Sequence, residues 1–294
     1  MRKVVSRFGI MAALSISVAW SAFTPAETAG PVPLWQVNNL DQPESVAADP
    51  HGRYLYISNI NGQPKEMNGK GYISRVTVDG QVVNRKWLKG FDAPKGMAIA
   101  EGRLYVADMQ TLHVIDLQQG KVIKHYRAPK AKMLNDVTVA ENGAVYVSDL
   151  LGGALYRLHQ ASFQHWFSHP QLPHPNGVLW HEGELLVANW GEGMNNDFST
   201  QTPGTLYRLS IQSETLTPLA TGYQLGNLDG IVADGNRLYA SDWISGELYR
   251  LENNERRKVL QLQAGLADIG GSGNRVIYAP MMMDDQVVAW KMPL

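Results

Sequence analysis

The 294-residue sequence has no cysteine. That excludes disulfides, thiol nucleophiles, lipid attachment through Cys and thiolate metal sites. Charge is sparse too: Asp, Glu, Lys and Arg make up 18%, below the ~25% usual in globular domains. Neither sign dominates, with 26 basic against 27 acidic residues, so the basic excess of a nucleic-acid binder is missing. There is no Gly-x-Ser-x-Gly elbow, no Walker loop and no His-Glu-x-x-His, which removes the common signatures of serine hydrolases, nucleotide binders and zinc proteases. What the chain does have is 28 Gly, 12 Tyr and 8 Trp, a mixture that leans towards strands joined by tight turns.

The first 26 residues read as a secretory signal. Arg2, Lys3 and Arg7 precede an apolar run from Phe8 to Trp20, and small residues offer cleavage after Ser21 or Ala26. The run is short for a membrane span, an uncleaved anchor being the alternative, and no later stretch is suited to crossing a bilayer. The expected location is therefore periplasmic or secreted, without stable membrane insertion after cleavage. Loss of residues 1–26 removes three basic and no acidic residues, leaving 23 against 27, a net charge of −4.

The rest repeats one pattern six times. Units open at Pro43-Glu44-Ser45-Val46, Pro94-Lys95-Gly96-Met97, Leu134-Asn135-Asp136-Val137, Pro175-Asn176-Gly177-Val178, Leu228-Asp229-Gly230-Ile231 and Ala267-Asp268-Ile269-Gly270. Each is followed by a strand ending in a small residue and Asp, Asn or Pro, and then by a third and usually a fourth strand. From Glu44 to Asp268 there are 224 residues in five steps, and a period of ~40–50 residues with four strands apiece marks a β-propeller. The fold class expected is all-β, a single six-bladed β-propeller over residues 32–294. The sixth unit ends after three strands, so Val32–Val37 is expected to supply its fourth and close the ring, with Trp35 and Val37 on one face and Val32 and Leu34 on the other, an unstructured linker being the alternative.

The first strand of each propeller blade lines the central channel, so equivalent positions form a ring. That ring reads Glu44, Lys95, Asn135, Asn176, Asp229 and Asp268, all six polar, with a formal charge of −2. Oxygen donors without thiolate or imidazole suit Ca²⁺, and less well Mg²⁺ or Mn²⁺, while Asx turns at the strand starts are the competing explanation.

These same motifs, Pro-Glu-Ser at 43–45, Leu-Asn-Asp-Val at 134–137, Pro-Asn-Gly-Val at 175–178 and Leu-Asp-Gly-Ile at 228–231, resemble the six-bladed gluconolactonase and regucalcin (senescence marker protein) family, related to the paraoxonases. The resemblance implies a catalytic divalent metal, usually calcium, held by Glu44, Asn135, Asn176 and Asp229, and hydrolysis of a lactone or related ester. Asp229 is the candidate for activating water, its rival role being that of a ligand only. Two departures stand out. Met133 sits where sugar-lactone members carry a basic residue, and Met109 where paraoxonases carry a His. Substrate contacts are expected from Lys95, Met133, His174 and Asp268, although Lys95 has a competing role as an ion-pair partner of Asp268 or Glu44. Two long connections, Ile60–Lys70 and Trp190–Pro203, are expected on the metal face. The expected partner is a small-molecule substrate and not a nucleic acid. Two other function classes stay open: a non-catalytic propeller that binds a ligand or protein, and a metal-free enzyme of the strictosidine-synthase type.

Overall fold

A computed structural model describes residues 30–293; the signal sequence read at 1–26 lies outside them. The chain forms six four-stranded antiparallel sheets, one after another, around a central channel. Five are built from consecutive strands. The first is typical, with Pro43–Ala48 innermost, then Tyr54–Asn59, Gly71–Thr77 and Val82–Phe91 outermost. The sixth takes its outer strand from the other end of the described chain: Val32–Val37 pairs antiparallel with Gln286–Lys291, Val32 opposite Lys291 and Val37 opposite Val287. Alternation along that strand follows the expected pattern. Val32 and Leu34 are about half exposed (52% and 50%), whereas Val37 is buried. Trp35 stacks on Tyr278 of the sixth blade at 5.7 Å and donates its indole N–H to Val78 O of the first at 2.9 Å. The closing strand thus joins the last blade to the first.

Both faces of every blade are covered by a neighbour, so the inner strands start with an unbroken run of buried residues rather than burial on alternate positions. Six hydrophobic clusters fill the six interfaces between blades. A seventh lies at one end of the channel and contains Ile60, Met133, Leu150, Trp190 and Met282, with Phe198 and Trp243 packed against it.

A repeated irregularity positions the ring residues. In each of the first five blades the ladder between the inner strand and the next shifts at the ring position: Pro43 pairs with Asn59 and Val46 with Ile57, so Glu44 and Ser45 face Ser58 alone. The same shift recurs at Pro94–Met97, Leu134–Val137, Pro175–Val178 and Leu228–Ile231. A bulge of this kind re-aims side chains. It also frees a backbone N–H, which in blades one, three and five is taken up by a serine of the second strand: Ser45 N by Ser58 Oγ at 2.9 Å, Asp136 N by Ser148 Oγ and Gly230 N by Ser241 Oγ, both at 2.8 Å.

Candidate functional site

The Asp or Asn that ends the second strand has a structural task in the first four blades. Its side-chain oxygen accepts N–H groups of the segment leading into the inner strand: Asn59 from Asp41, Asp108 from Asp92 and Ala93, Asp149 from Lys132 and Met133, and Asn189 from His174. The ring residues of blades one to four are therefore fixed by a bulge on one side and a capped loop on the other. At Gly177 a Cβ would lie 2.0 Å from Asp229 O, so only glycine lets these two inner strands approach so closely.

Five of the six ring residues, Glu44, Lys95, Asn135, Asn176 and Asp229, line the floor of one cavity of about 500 Å³ that is in part open to solvent. All five are buried. Asn176 Nδ2 donates to Asp229 Oδ1 at 2.8 Å and to Leu228 O at 3.1 Å. With its amide N–H groups so engaged, its carboxamide oxygen is left for the cavity. Three buried side-chain oxygens here have no hydrogen-bond partner: Glu44 Oε2, Asn135 Oδ1 and Asn176 Oδ1.

Carboxyl groups crowd the channel. Burial, then the charges of Asp229 and Asp268, push the Glu44 carboxyl well above its ordinary range, partly offset by Lys95. Burial and Asp268 do the same to Asp229, opposed by the Asn176 hydrogen bond. Burial lifts Asp268 to about 7 against the hydrogen bond from Ser45. Asp136 is a fourth member that the ring reading passed over, because it sits one position after Asn135. It is buried, accepts Val137 N and Val178 N at 2.6 Å each, and is raised by burial and by Asp268. Burial lowers the Lys95 ammonium, with Glu44, Asp108 and Asp229 acting the other way.

Three expectations change on contact with this geometry. Lys95 is in no ion pair among the described residues. Its ammonium donates instead to Ala93 O at 2.8 Å and meets Met109 Sδ at 3.7 Å, because the loop before its own strand curls beneath it. Asp268 is not a lining residue: the sixth inner strand is only Gly270–Gly271, and Asp268 is bridged to blade one at Ser45, whose hydroxyl donates to Asp268 Oδ2 at 2.5 Å. His174 also lies off the cavity, its Nδ1 3.2 Å from Leu150 O. Met133 does line the cavity.

The walls are apolar: Ile60, Pro64, Met133, Leu150, Trp190, Phe198, Trp243 and Met282. Sequence reasoning found Trp190 and Phe198 through their long loop but missed Leu150 and Trp243. A signal was present. The residue just after the Asp or Asn that ends the second strand is Ile60, Met109, Leu150, Trp190 and Trp243 in blades one to five, large and apolar each time.

The donor chemistry fits a hard cation. Glu44 and Asp229 offer carboxylates, Asn135 and Asn176 carboxamide oxygens, and three of the four residues hold an oxygen with no other partner. Among the described residues no three His, Asp or Glu side chains converge as a metal cluster, so such a site depends on its two carboxamides.

No protein-family model and no curated protein matches the sequence. Solved structures do resemble the fold. A gluconolactonase from Xanthomonas campestris aligns with a TM-score of 0.67 and 16% identity, over 92% of this chain and 99% of that one. Virginiamycin B lyase from Staphylococcus aureus gives 0.61 and 15%, over 88% and 98%. A protein of unknown function from Bacteroides thetaiotaomicron gives 0.67 and 10%, over 90% and 76%. At such identities the likeness establishes a shared six-bladed propeller.

Proposed function

We propose that the chain is an exported hydrolase of a lactone or related ester that works with a divalent cation, calcium first and Mg²⁺ or Mn²⁺ as alternatives, held by Glu44, Asn135, Asn176 and Asp229. The observation that carries this reading is the set of three partnerless oxygens on one cavity floor. A buried acceptor left unpaired costs about 1–3 kcal/mol, and a cation held by these residues would give such oxygens a partner. It also relieves the crowding of carboxyls that burial and mutual repulsion otherwise raise. The lactone reading draws on the motifs at the strand starts and on the name of the Xanthomonas neighbour. Export rests on the basic, apolar and small-residue order of residues 1–26.

When bound, the cation supplies Lewis-acid polarisation of the substrate carbonyl and stabilises the developing oxyanion. Asn176 Nδ2 holds Asp229 Oδ1 at 2.8 Å, which orients the carboxylate so that its other oxygen can take a proton from the attacking water. Water oxygen bonds to the carbonyl carbon, the acyl C–O bond breaks, and the leaving alkoxide receives the proton. The hydroxy acid then ionises, releasing one proton to solution. Lys95, anchored on Ala93 O, places a positive charge on the floor beside the carboxylate being formed.

Calorimetry of chelator-treated protein with CaCl₂, followed by a pH-indicator assay on a lactone panel in H₂¹⁸O, tests the reading. Expected are saturable calcium binding, turnover abolished by chelator, and one ¹⁸O in each product carboxylate. Turnover that survives exhaustive chelation would replace it with a metal-free enzyme. Turnover without ¹⁸O uptake would indicate elimination, the reaction class that a lyase's name denotes. A melting curve indifferent to calcium and chelator, with no turnover, would indicate a binding module.

A further inference from the structure

The geometry points to a substrate whose group beyond the reacting carbonyl is apolar, an alkyl- or aryl-substituted lactone or ester rather than a polyhydroxylated one, with Trp190, Phe198 and Trp243 setting that preference. The inference rests on the hydrolase reading above and deepens it. Every polar side chain of the cavity lies on its floor, and the eight wall residues are Ile60, Pro64, Met133, Leu150, Trp190, Phe198, Trp243 and Met282. The one polar group that Trp190 offers is already spent, its indole N–H donating to Phe198 O at 2.8 Å. Trp190 sits 6.1 Å from Trp243 and 6.4 Å from Phe198, ring centre to ring centre, so the three make one continuous aromatic surface. Hydroxyls on a substrate lying against that surface would give up their water and find at most the indole N–H of Trp243 in return, whereas methylenes would be favourably removed from water. Met133 strengthens the point, because it puts a thioether in the wall where a charged or hydrogen-bonding side chain would be needed to hold a sugar.

The roof has the same character. Blades one and four are three steps apart in a ring of six and so stand opposite each other across the channel. Their long loops nonetheless meet at the cavity: Pro64 and Phe198 both line it, and Lys65 Nζ lies over the Phe198 ring at 5.3 Å from its centre. A substrate chain reaching up from the floor therefore meets rings and proline before it meets water.

The test uses calcium-loaded protein and δ-lactones bearing propyl, butyl and pentyl chains, with glucono-δ-lactone as the hydroxylated comparison. Proton release gives kcat/KM. Tryptophan fluorescence, read with the matching non-hydrolysable δ-lactams, gives binding even where turnover is slow. We expect kcat/KM or lactam affinity to rise about fourfold per added methylene and glucono-δ-lactone to fall at least about 100-fold below the pentyl lactone. Trp243→Ala and Phe198→Ala should flatten the chain-length dependence while calorimetric calcium affinity is unchanged, and Trp243→Phe should restore most of it. Calcium binding with a flat chain-length series, or with glucono-δ-lactone preferred, overturns this inference and leaves the cation reading intact. Lactam affinity rising with chain length in protein that binds no calcium does the reverse.

Discussion

Replacing Asn135 by Leu separates a cation ligand from a merely structural asparagine. The side chain is 5% exposed and its Oδ1 has no partner. Without a cation that acceptor costs about 1–3 kcal/mol, and Leu has the same branched skeleton with no polar atom to desolvate, its bulkier methyl groups facing the open cavity that Asn135 lines. The variant should therefore be more stable than the parent in chelator, by about 1–2 kcal/mol, or roughly 2–8 °C in Tm for a domain of this size. With calcium at 100 times its Kd the parent gains about 2.7 kcal/mol. Losing one of four protein oxygens should weaken binding about 100-fold or more, which shrinks the gain at the same calcium concentration to about 0.4 kcal/mol or less. The two melting curves should cross: Asn135→Leu higher in chelator, parent higher in calcium. Urea titrations with and without CaCl₂ measure both differences. If Asn135→Leu is less stable under both conditions by similar amounts, Asn135 is a structural hydrogen-bonding residue and the ligand assignment is wrong.

Other outcomes follow from the same geometry. Lys95→Met removes the one positive charge on the cavity floor and should tighten calcium binding about tenfold or more in calorimetry; weaker binding would mean that the lysine braces the site through Ala93. Gly177→Ala drives a Cβ to 2.0 Å from Asp229 O, so both the Tm and calcium affinity should fall, and a variant that keeps its affinity would show that the inner strands can separate. Trp35→Ala deletes the stack on Tyr278 and the bond to Val78 and should cost about 3–5 kcal/mol in urea unfolding. For Asp108, burial raises the carboxyl, but the His113 contact and the N–H groups of Asp92 and Ala93 outweigh it, so the folded-state pKa is depressed. Its contribution is therefore present above the ordinary carboxylate range and lost as pH falls through the lower, folded value. Asp108→Asn should flatten the acid limb of the stability curve, and an unaltered limb would assign that acid sensitivity elsewhere.

Much of this was open to reading along the chain. Bulges in blades one to five fall on the residues that the repeat alignment selected, and Val32–Val37 closes the ring with Val32 and Leu34 sharing a face as expected. Position within a repeat says which residues stand at one height because each blade is the same supersecondary unit. It says little about Asp268, whose inner strand is shortened to two residues, or about Lys95, whose partner is a carbonyl of its own loop. Asp136 escaped notice for the opposite reason: the ring was counted one residue per blade, and the bulge places a second residue where its carboxyl bonds the next blade's inner strand.

The sequence by itself determined the six blades, the closing strand and the polar floor. All three follow from periodicity and from residue types at repeated positions, which local backbone geometry converts directly into place. The tertiary structure alone decided which floor oxygens lack a partner, which ring residue is left out of the cavity lining, and that loops from opposite blades meet over an aromatic wall. Those outcomes depend on groups far apart in the chain, such as Asn176 and Asp229 or Lys65 and Phe198. Whether such groups touch is set by how the closed ring packs and not by any spacing along it.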